Sequence, residues 1–134
     1  ATDRAINSGG GAIHNAGANG IINISETRFQ NNRSFTGGAI DNTFSHSITL
    51  NRVQFIENFA DGEGGAILTD RTTQLNITGT EFLRNIANTL DGGAIYASGV
   101  STLENVIFDG NRAGNTGGGI HNIGTLTLNN STFT

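Results

Sequence analysis

The stretch Phe82–Ile95, which reads FLRNIANTLDGGAI, decides the fold because both of its ends recur along the chain at one spacing. The ending GGAI occurs four times and a fifth copy reads GGGI, so that the isoleucines lie 27, 27, 28 and 25 residues apart. The opening phenylalanines recur 26, 27, 26 and 25 residues apart. Two markers with one period indicate a structural repeat. The markers are Ile13, Ile40, Ile67, Ile95 and Ile120, with Phe29, Phe55, Phe82, Phe108 and Phe133.

Short segments with alternating apolar residues lie between the two markers. Ile22 and Ile24 form the first pair, and Leu75 and Ile77 form the third. Such alternation, rich in Ile, Thr and Val and bounded by Gly and Asn, is typical of short β-strands. Three strands and three turns in a period of roughly 27 residues predict one coil of a parallel solenoid. We therefore expect residues 1–134 to form a single all-β domain of about five coils.

Glycine and asparagine mark the expected corners. Paired glycines ahead of Ala-Ile permit positive φ and a tight turn where a Cβ would meet the neighbouring coil. The asparagine three residues after the phenylalanine is expected to turn inward and to bond the backbone and the asparagine of the next coil. An inward polar column is tolerated only when every coil supplies its partner. The predicted asparagine ladder consists of Asn32, Asn58, Asn85 and Asn111.

The composition excludes several classes of partner. The net charge is -4 and the pI is near 5.1, whereas binding to nucleic acid requires a basic surface. No apolar run approaches the roughly 18 residues that cross a bilayer, so no membrane span is predicted. The chain has no cysteine, and its stability must come from packing and hydrogen bonds. It begins without methionine, as a cleaved secretion signal or a chosen boundary would leave it.

The two motifs at one period resemble the repeat of the chlamydial polymorphic outer-membrane proteins, and similar repeats occur in other secreted bacterial and archaeal surface proteins. The motifs are Phe55–Asn58 with Gly64–Ile67, and Phe82–Asn85 with Gly92–Ile95. The resemblance covers essentially the whole chain. It implies a right-handed parallel β-helix (solenoid) that is secreted or exposed at a cell surface, with adhesion to cell-surface glycans or receptors as an associated role.

The chain stops inside a repeat, after Phe133 and before the position of the next asparagine. If a second copy followed head to tail, Ile120 and Ile13 of that copy would lie 27 residues apart, which is the ordinary period. Uncapped coil faces expose strand edges that favour pairing, and a contact between different faces makes an open fibre unless it closes. The predicted assembly interface consists of Asp3, Arg4, Ala5, Ile13, Leu128, Phe133 and Thr134, with Asp3 in place of the missing asparagine.

Several functions remain open. The first is a secreted, non-enzymatic structural protein that binds itself head to tail in an extracellular filament or surface array, with an adhesive or scaffolding role. The second is a ligand-binding or adhesin passenger fragment of a longer β-helix, and the third is a capped monomer. Binding of ice or polysaccharide by the outward Thr and Asn column is a further alternative, although Glu104 interrupts the neighbouring column.

Chemically reactive groups follow no catalytic pattern. The aspartates do not share one column, so paired-carboxylate catalysis lacks support. The glycine pairs recur in every coil as architecture rather than as a phosphate-binding loop. We therefore predict neither enzyme activity nor a cofactor. The aspartates considered are Asp41, Asp70, Asp91 and Asp109.

Two histidines occupy the same place in the first and last coils, directly after the repeat isoleucine. In a head-to-tail stack His121 would lie beside His14 of the next copy, with Asp41 one coil beyond. Two imidazoles and a carboxylate can ligate zinc or respond to pH. The alternative is two surface histidines in a tolerant column, because spacing alone does not establish coordination geometry. No metal site is firmly predicted.

Sequons for N-glycosylation recur in the chain, and a suitable secretory route would permit their use. Asn32 also begins a sequon, but its predicted inward position would block modification. The candidate acceptors are Asn23, Asn76, Asn129 and Asn130.

Overall fold

The computed structural model describes residues 9–44 and 46–134, and this part of the chain is built from short β-strands without a helix. The first coil consists of β1 (Ile13–Asn15), β2 (Ile21–Ser25), β3 (Arg28–Gln30) and β4 (Arg33–Ser34). The second consists of β5 (Ile40–Asn42), β6 (Ser47–Asn51), β7 (Gln54–Ile56) and β8 (Phe59–Ala60). The third consists of β9 (Ile67–Thr69), β10 (Gln74–Thr78), β11 (Glu81–Leu83) and β12 (Ile86–Ala87). The fourth consists of β13 (Ile95–Ala97), β14 (Val100–Glu104), β15 (Ile107–Asp109) and β16 (Arg112–Ala113), and the fifth of β17 (Ile120–Asn122), β18 (Thr125–Asn129) and β19 (Thr132–Phe133).

Every strand pairs in parallel with its counterpart in the adjacent coil. Three sheets contain five strands each, in the orders β1-β5-β9-β13-β17, β2-β6-β10-β14-β18 and β3-β7-β11-β15-β19. A fourth sheet has the order β4-β8-β12-β16. The repeat isoleucines pair with one another, as Ile13 with Ile40 and Ile40 with Ile67. The predicted all-β parallel solenoid of about five coils is therefore confirmed.

The fourth sheet corrects the expectation of three strands in each coil. Its strands have only two residues, such as Arg33–Ser34 and Ile86–Ala87, and they begin directly after the corner asparagine. Two residues are too few to show the alternation that identifies a strand in a sequence. The first residue of these strands is arginine, phenylalanine or isoleucine, whereas the second is serine or alanine in each of the four coils that have this strand.

The core is a set of stacked columns. The marker phenylalanines form one column, in which adjacent ring centroids lie 4.5 to 5.0 Å apart with interplanar angles of 3 to 9°. Phe55, Phe82 and Ile67 are fully buried at 0% exposure. Burying one such side chain contributes roughly 1.5 to 3 kcal/mol, so the columns supply the main apolar stabilisation.

The two glycines of each pair have different roles. Gly64 has a φ of +64°, which side chains other than glycine rarely adopt. Gly65 is limited by space instead, because a Cβ at that position would lie 1.9 Å from the carbonyl oxygen of Gly93 in the next coil. The first glycine therefore turns the chain and the second allows two coils to approach each other.

The fold contains no candidate for a membrane-spanning helix among residues 9–44 and 46–134. Parallel pairing of the strands brings together residues that are about one period apart in the sequence.

Candidate functional site

The asparagine ladder is an internal column that links one coil to the next. The side-chain oxygen of Asn58 accepts hydrogen bonds from the backbone N–H and the amide of Asn32, at 3.1 and 2.9 Å. The amide of Asn58 also donates to the carbonyl oxygen of Phe29 at 3.0 Å. Asn85 and Asn111 continue the series in the same way. The column thus satisfies the polar groups of a buried corner, which would otherwise be costly.

The ladder ends at Asn111. Its side-chain oxygen receives two hydrogen bonds from Asn85 and its amide donates to the carbonyl oxygen of Phe82. Within the described part of the chain, no further asparagine accepts the bonds that the backbone N–H and second amide hydrogen of Asn111 could donate. These donors face the place where another coil would lie.

A hollow lies beside the end of the ladder. It has a volume of about 290 Å³ and is lined by Phe108, Asn111, Gly118, Gly119, Phe133 and Thr134. Phe133 stacks on Phe108 at 4.5 Å but is 47% exposed, because no ring covers its other face. Leu128 on the same face is 41% exposed. We call this surface, formed by the fifth coil with Asn111, the last-coil face.

The opposite end presents the same columns. Ile13, Ile22 and Ile24 are only partly buried, whereas Ile40, Ile48 and Leu50 of the second coil are fully buried. The first-coil face is formed by β1, β2 and β3, each of which pairs on one side only among the strands of residues 9–44 and 46–134. Asp3, Arg4 and Ala5 of the predicted interface lie outside the described residues. Ile13, Leu128, Phe133 and Thr134 all lie on the two end faces.

The two histidines lie at opposite ends of the sheet that begins with β1 and ends with β17, so the structure does not bring them together within one chain. His14 is adjacent to Asp41, with 3.8 Å between Nδ1 and Oδ1. The Asp41 side chain is 4% exposed, and its other oxygen, Oδ2, accepts a hydrogen bond of 2.6 Å from Thr36. Oδ1 is buried without a hydrogen-bond partner among the described residues.

His121 belongs to a chain of hydrogen bonds that the repeat pattern does not predict. The hydroxyl of Thr116 lies 2.7 Å from His121 Nδ1 and 2.6 Å from Asp91 Oδ1. The backbone N–H of Thr116 also donates to Asp91 at 2.9 Å. The hydrogen bond from the Thr116 side chain lowers the pKa of Asp91, and the charge of His121 contributes in the same direction. Tyr96 stacks on the His121 ring at 5.2 Å.

A faint signal for this cluster exists in the sequence. The residue directly before the glycine pair is Thr36, Glu63, Asp91 or Thr116, a polar column whose members differ from coil to coil. Only the register of the coils places Thr116 beside Asp91, although the two are 25 residues apart. Burial followed by the negative charge of Asp91 raises the pKa of Glu63.

The outer faces carry mixed polar groups. The outward column Asn23, Thr49, Asn76, Thr102 and Thr127 is in register across all five coils and is exposed. A lateral groove of about 650 Å³ is lined by residues that include Glu26, Arg28, Arg52 and Glu81. Its arginines are engaged, Arg52 by Glu26 and Arg28 by Gln54. The groove therefore presents balanced charges rather than a cationic surface.

The sequon asparagines differ in exposure, since Asn32 is buried and the four candidate acceptors are exposed. Asn32 is 4% exposed, and its side-chain amide donates a hydrogen bond to Asn58 in the ladder. The four candidate acceptors are exposed side chains on β2, on β10 and at the end of β18, namely Asn23, Asn76, Asn129 and Asn130.

No group of three or more His, Asp or Glu side chains that could hold a metal ion occurs within residues 9–44 and 46–134. Of the histidines, His14 lies on the first strand and His121 on the last strand of one sheet.

Comparison with known families supports the repeat. Residues 52–70, 79–98 and 105–123 match the model of the Chlamydia polymorphic membrane protein (Chlamydia_PMP) repeat. Each matched segment contains the phenylalanine, the ladder asparagine and the glycine pair of one repeat. The predicted resemblance is thus confirmed. No curated protein and no solved structure matches the chain significantly.

Proposed function

We propose that the chain is a non-enzymatic β-helix module of a secreted or surface-exposed protein. The premise is that it contains Chlamydia polymorphic membrane protein repeats. The repeat family supports the location, since its members are described as membrane proteins. We further propose that the last-coil face binds the first-coil face of a second copy, head to tail, in a filament or surface array.

The main observation in support of the proposed assembly is the open end of the asparagine ladder. Inside the solenoid, each ladder asparagine donates two hydrogen bonds to the next coil. Asn111 presents the same donors to the hollow beside Phe133. Asn111 is only partly buried, so water satisfies these donors in the single subunit. A coil that covered them would have to supply an oxygen acceptor, because a buried donor without one costs about 1 to 3 kcal/mol.

The two end faces complement each other in their apolar columns. Continuing the observed register would place Ile13 of the second copy over Ile120, and Ile22 over Leu126. Phe133 would gain a neighbour on its exposed side. Burial of apolar surface contributes roughly 25 cal/mol per Å², which favours association of these faces. The strand edges supply backbone hydrogen bonds in the same contact.

The geometry of such a contact is heterologous, because one copy uses its last coil and the next uses its first. Coils in parallel pairing are about 4.8 Å apart, so a five-coil subunit would add about 24 Å to a filament. The subunits would share one axis, and the filament would be as wide as a single solenoid.

Adding one methyl group to a glycine of the fifth coil provides a test of this assembly. At Gly65 and Gly93 a Cβ would lie 1.9 and 2.0 Å from a glycine carbonyl of the next coil. Gly118 has the same place in the fifth coil, but there a Cβ meets only the oxygen of Asn111 at 3.2 Å. The change Gly118→Ala is therefore expected to leave the isolated subunit folded and to prevent another coil from stacking on it.

The measurement is negative-stain electron microscopy together with sedimentation velocity of the 134-residue chain and two variants. Asn76→Ala is the control, because it changes an exposed side chain on β10 in the third coil, away from both end faces. We expect filaments from the unchanged chain and from Asn76→Ala, but only single subunits from folded Gly118→Ala. Single subunits in all three samples would contradict self-assembly.

That contrary result would favour the alternative function, in which the module is a passenger segment and further coils of one polypeptide cover its ends. The three matched repeats support this alternative as well, because it requires only that the columns continue. A role in adhesion would then be carried by the lateral faces.

A further inference from the structure

We propose that the joint between two copies binds one divalent transition-metal ion, through His121 of one copy and His14 and Asp41 of the next. This inference rests on the head-to-tail assembly proposed above. It concerns the chemistry of that joint, and the experiments below separate its failure from failure of the assembly.

The hydrogen bonds around His121 determine which ring nitrogen carries the proton. Asp91 is a carboxylate at neutral pH, since hydrogen bonds from Thr116 hold its pKa below the usual range. The Thr116 hydroxyl has one hydrogen and must donate it to Asp91 at 2.6 Å. The hydroxyl oxygen can then only accept from His121 Nδ1, which lies 2.7 Å away. In its neutral form His121 therefore carries its hydrogen on Nδ1 and the lone pair on Nε2.

This arrangement is the one that metal-binding histidines use. Such histidines donate the hydrogen of one ring nitrogen to an acceptor, which orients the ring and leaves the other nitrogen to bind the ion. The stacking of Tyr96 on His121, with rings inclined by 11°, further restricts the ring. Asp91 adds negative charge close to the joint, which favours a cation.

The other two ligands are His14 on the first-coil face and Asp41 directly behind it in the second coil. His14 Nδ1 and Asp41 Oδ1 are 3.8 Å apart, which is too far for a hydrogen bond. In a tetrahedral site, ligands about 2.0 to 2.2 Å from the zinc ion lie roughly 3.3 to 3.6 Å apart, so a small rotation of the half-exposed His14 ring would bring both atoms onto one ion. Asp41 Oδ1 is buried and has no hydrogen-bond partner among the described residues, so an ion would satisfy an oxygen that is otherwise unpaired.

The register brings the three side chains together. His14 pairs with Asp41 across β1 and β5, and Tyr96 pairs with His121 across β13 and β17. A second copy in the same register would therefore place its His14 next to His121, at the spacing of neighbouring strands. Two imidazoles and one carboxylate from adjacent strands make a site of the type that zinc occupies, with a fourth position for water.

The principal test uses the unchanged chain, His14→Gln, His121→Gln and the control His46→Gln. His46 is exposed and lies outside both end faces. Each protein is treated with chelator, and assembly is measured by sedimentation velocity before and after addition of zinc chloride. Cobalt chloride serves as a second probe, because its visible absorption reports a tetrahedral site with nitrogen ligands.

We expect zinc to lower the concentration needed for assembly about tenfold or more in the unchanged chain and in His46→Gln. Neither of the other two variants should respond, and cobalt should bind at one ion for each subunit in the assembled fraction. If every protein assembled equally well with zinc and with chelator, the proposed metal site would be wrong, but the proposed head-to-tail assembly would be supported. Absence of assembly under all conditions would overturn both. A zinc response lost only in His46→Gln would also reject the proposed ligands.

Thr116→Val tests the positioning of His121 separately. The substitution removes the hydroxyl that orients the ring but keeps the shape of the side chain. We expect zinc affinity to fall about 10- to 100-fold, while assembly at saturating zinc is retained. Unchanged affinity would show that the hydrogen-bond chain does not prepare His121 for an ion.

Discussion

The side-chain oxygen of Asn85 accepts two hydrogen bonds from Asn58, one from its backbone N–H at 3.0 Å and one from its amide at 2.9 Å. One side chain thus replaces the backbone pairing that the corner interrupts. Because each asparagine is both acceptor and donor, the column specifies how successive coils align.

Loss of an internal member of the ladder should be costly. Asn58→Ala leaves the N–H and amide of Asn32 without an acceptor and the carbonyl of Phe29 without a donor. We expect the free energy of unfolding to fall by about 3 kcal/mol or more, as measured by urea denaturation. The control Asn76→Ala removes an exposed amide from a strand and should change stability by less than about 0.5 kcal/mol. Similar losses in both variants would contradict the role assigned to the ladder.

The phenylalanine column should be most sensitive in its middle. Phe82 is fully buried between Phe55 and Phe108, with centroid distances of 4.8 and 5.0 Å. We expect Phe82→Ala to lower the free energy of unfolding by about 3 to 5 kcal/mol. Phe133→Ala should cost about 1 kcal/mol in the single subunit, because Phe133 has a ring on one side only. Calorimetry at a concentration where the chain is monomeric gives both values, and equal losses would argue against the stacked column.

The glycine that separates two coils should not tolerate a methyl group. At Gly65 the added Cβ would overlap the carbonyl of Gly93, and both atoms belong to paired backbone that cannot move alone. We expect Gly65→Ala to lose about 4 kcal/mol or more, or to fail to fold. Gly118→Ala should remain within about 1 kcal/mol of the unchanged chain under the same circular dichroism measurement. A stable Gly65→Ala protein would show that the coils can separate to make room.

A buried serine offers a route to higher stability. Ser101 lies in the inward column between Leu75 and Leu126, and its hydroxyl is buried without a partner among the described residues. Ser101→Ala removes the unsatisfied hydroxyl, and Ser101→Val also adds apolar volume suited to a strand. We expect thermal stability to increase in the order serine, alanine, valine, by about 1 to 2 kcal/mol in total. A decrease in both variants would indicate that the hydroxyl has a role in the core.

Glu63 should make stability depend on pH. Burial, followed by repulsion from Asp91, raises the pKa of Glu63 above its ordinary value of 4.5. A carboxyl whose pKa is raised in the folded state stabilises the fold when protonated, and this contribution is lost as pH rises through the raised pKa. Glu63→Gln keeps the neutral form and should melt at a higher temperature than the unchanged chain at pH 7. The difference should disappear below pH 4.5, and a difference that persists there would reject titration of Glu63 as its cause.

The repeat predicted most of the architecture because the same physical constraint acts in every coil. The glycine pair, the phenylalanine and the asparagine each occupy one column, so their spacing reveals the period. The strand Arg33–Ser34 was missed because two residues contain no alternation. The link between Asp91 and Thr116 was missed for a different reason, since the residue before the glycine pair is not constant and only the register joins the two.

The repeat does not predict where some exposed side chains of the irregular segments lie. Phe35 and Leu90 both lie near Gly62, where one side-chain atom of each is 3.8 Å from the place of a Cβ. They come from different coils and from irregular segments after short strands. The period locates these segments, but it does not determine the direction in which a long exposed side chain extends.

The direction of the sheet hydrogen bonds has a mechanical consequence. Every strand pairs with the coil above or below it, so the hydrogen bonds run along the length of the solenoid. Tension applied along that axis pulls these bonds directly apart, one coil at a time, instead of shearing many strands at once. Each detached coil of about 27 residues would release roughly 90 Å of chain. A stack of such coils would therefore lengthen stepwise under load, and each step would absorb mechanical work before the next coil yielded.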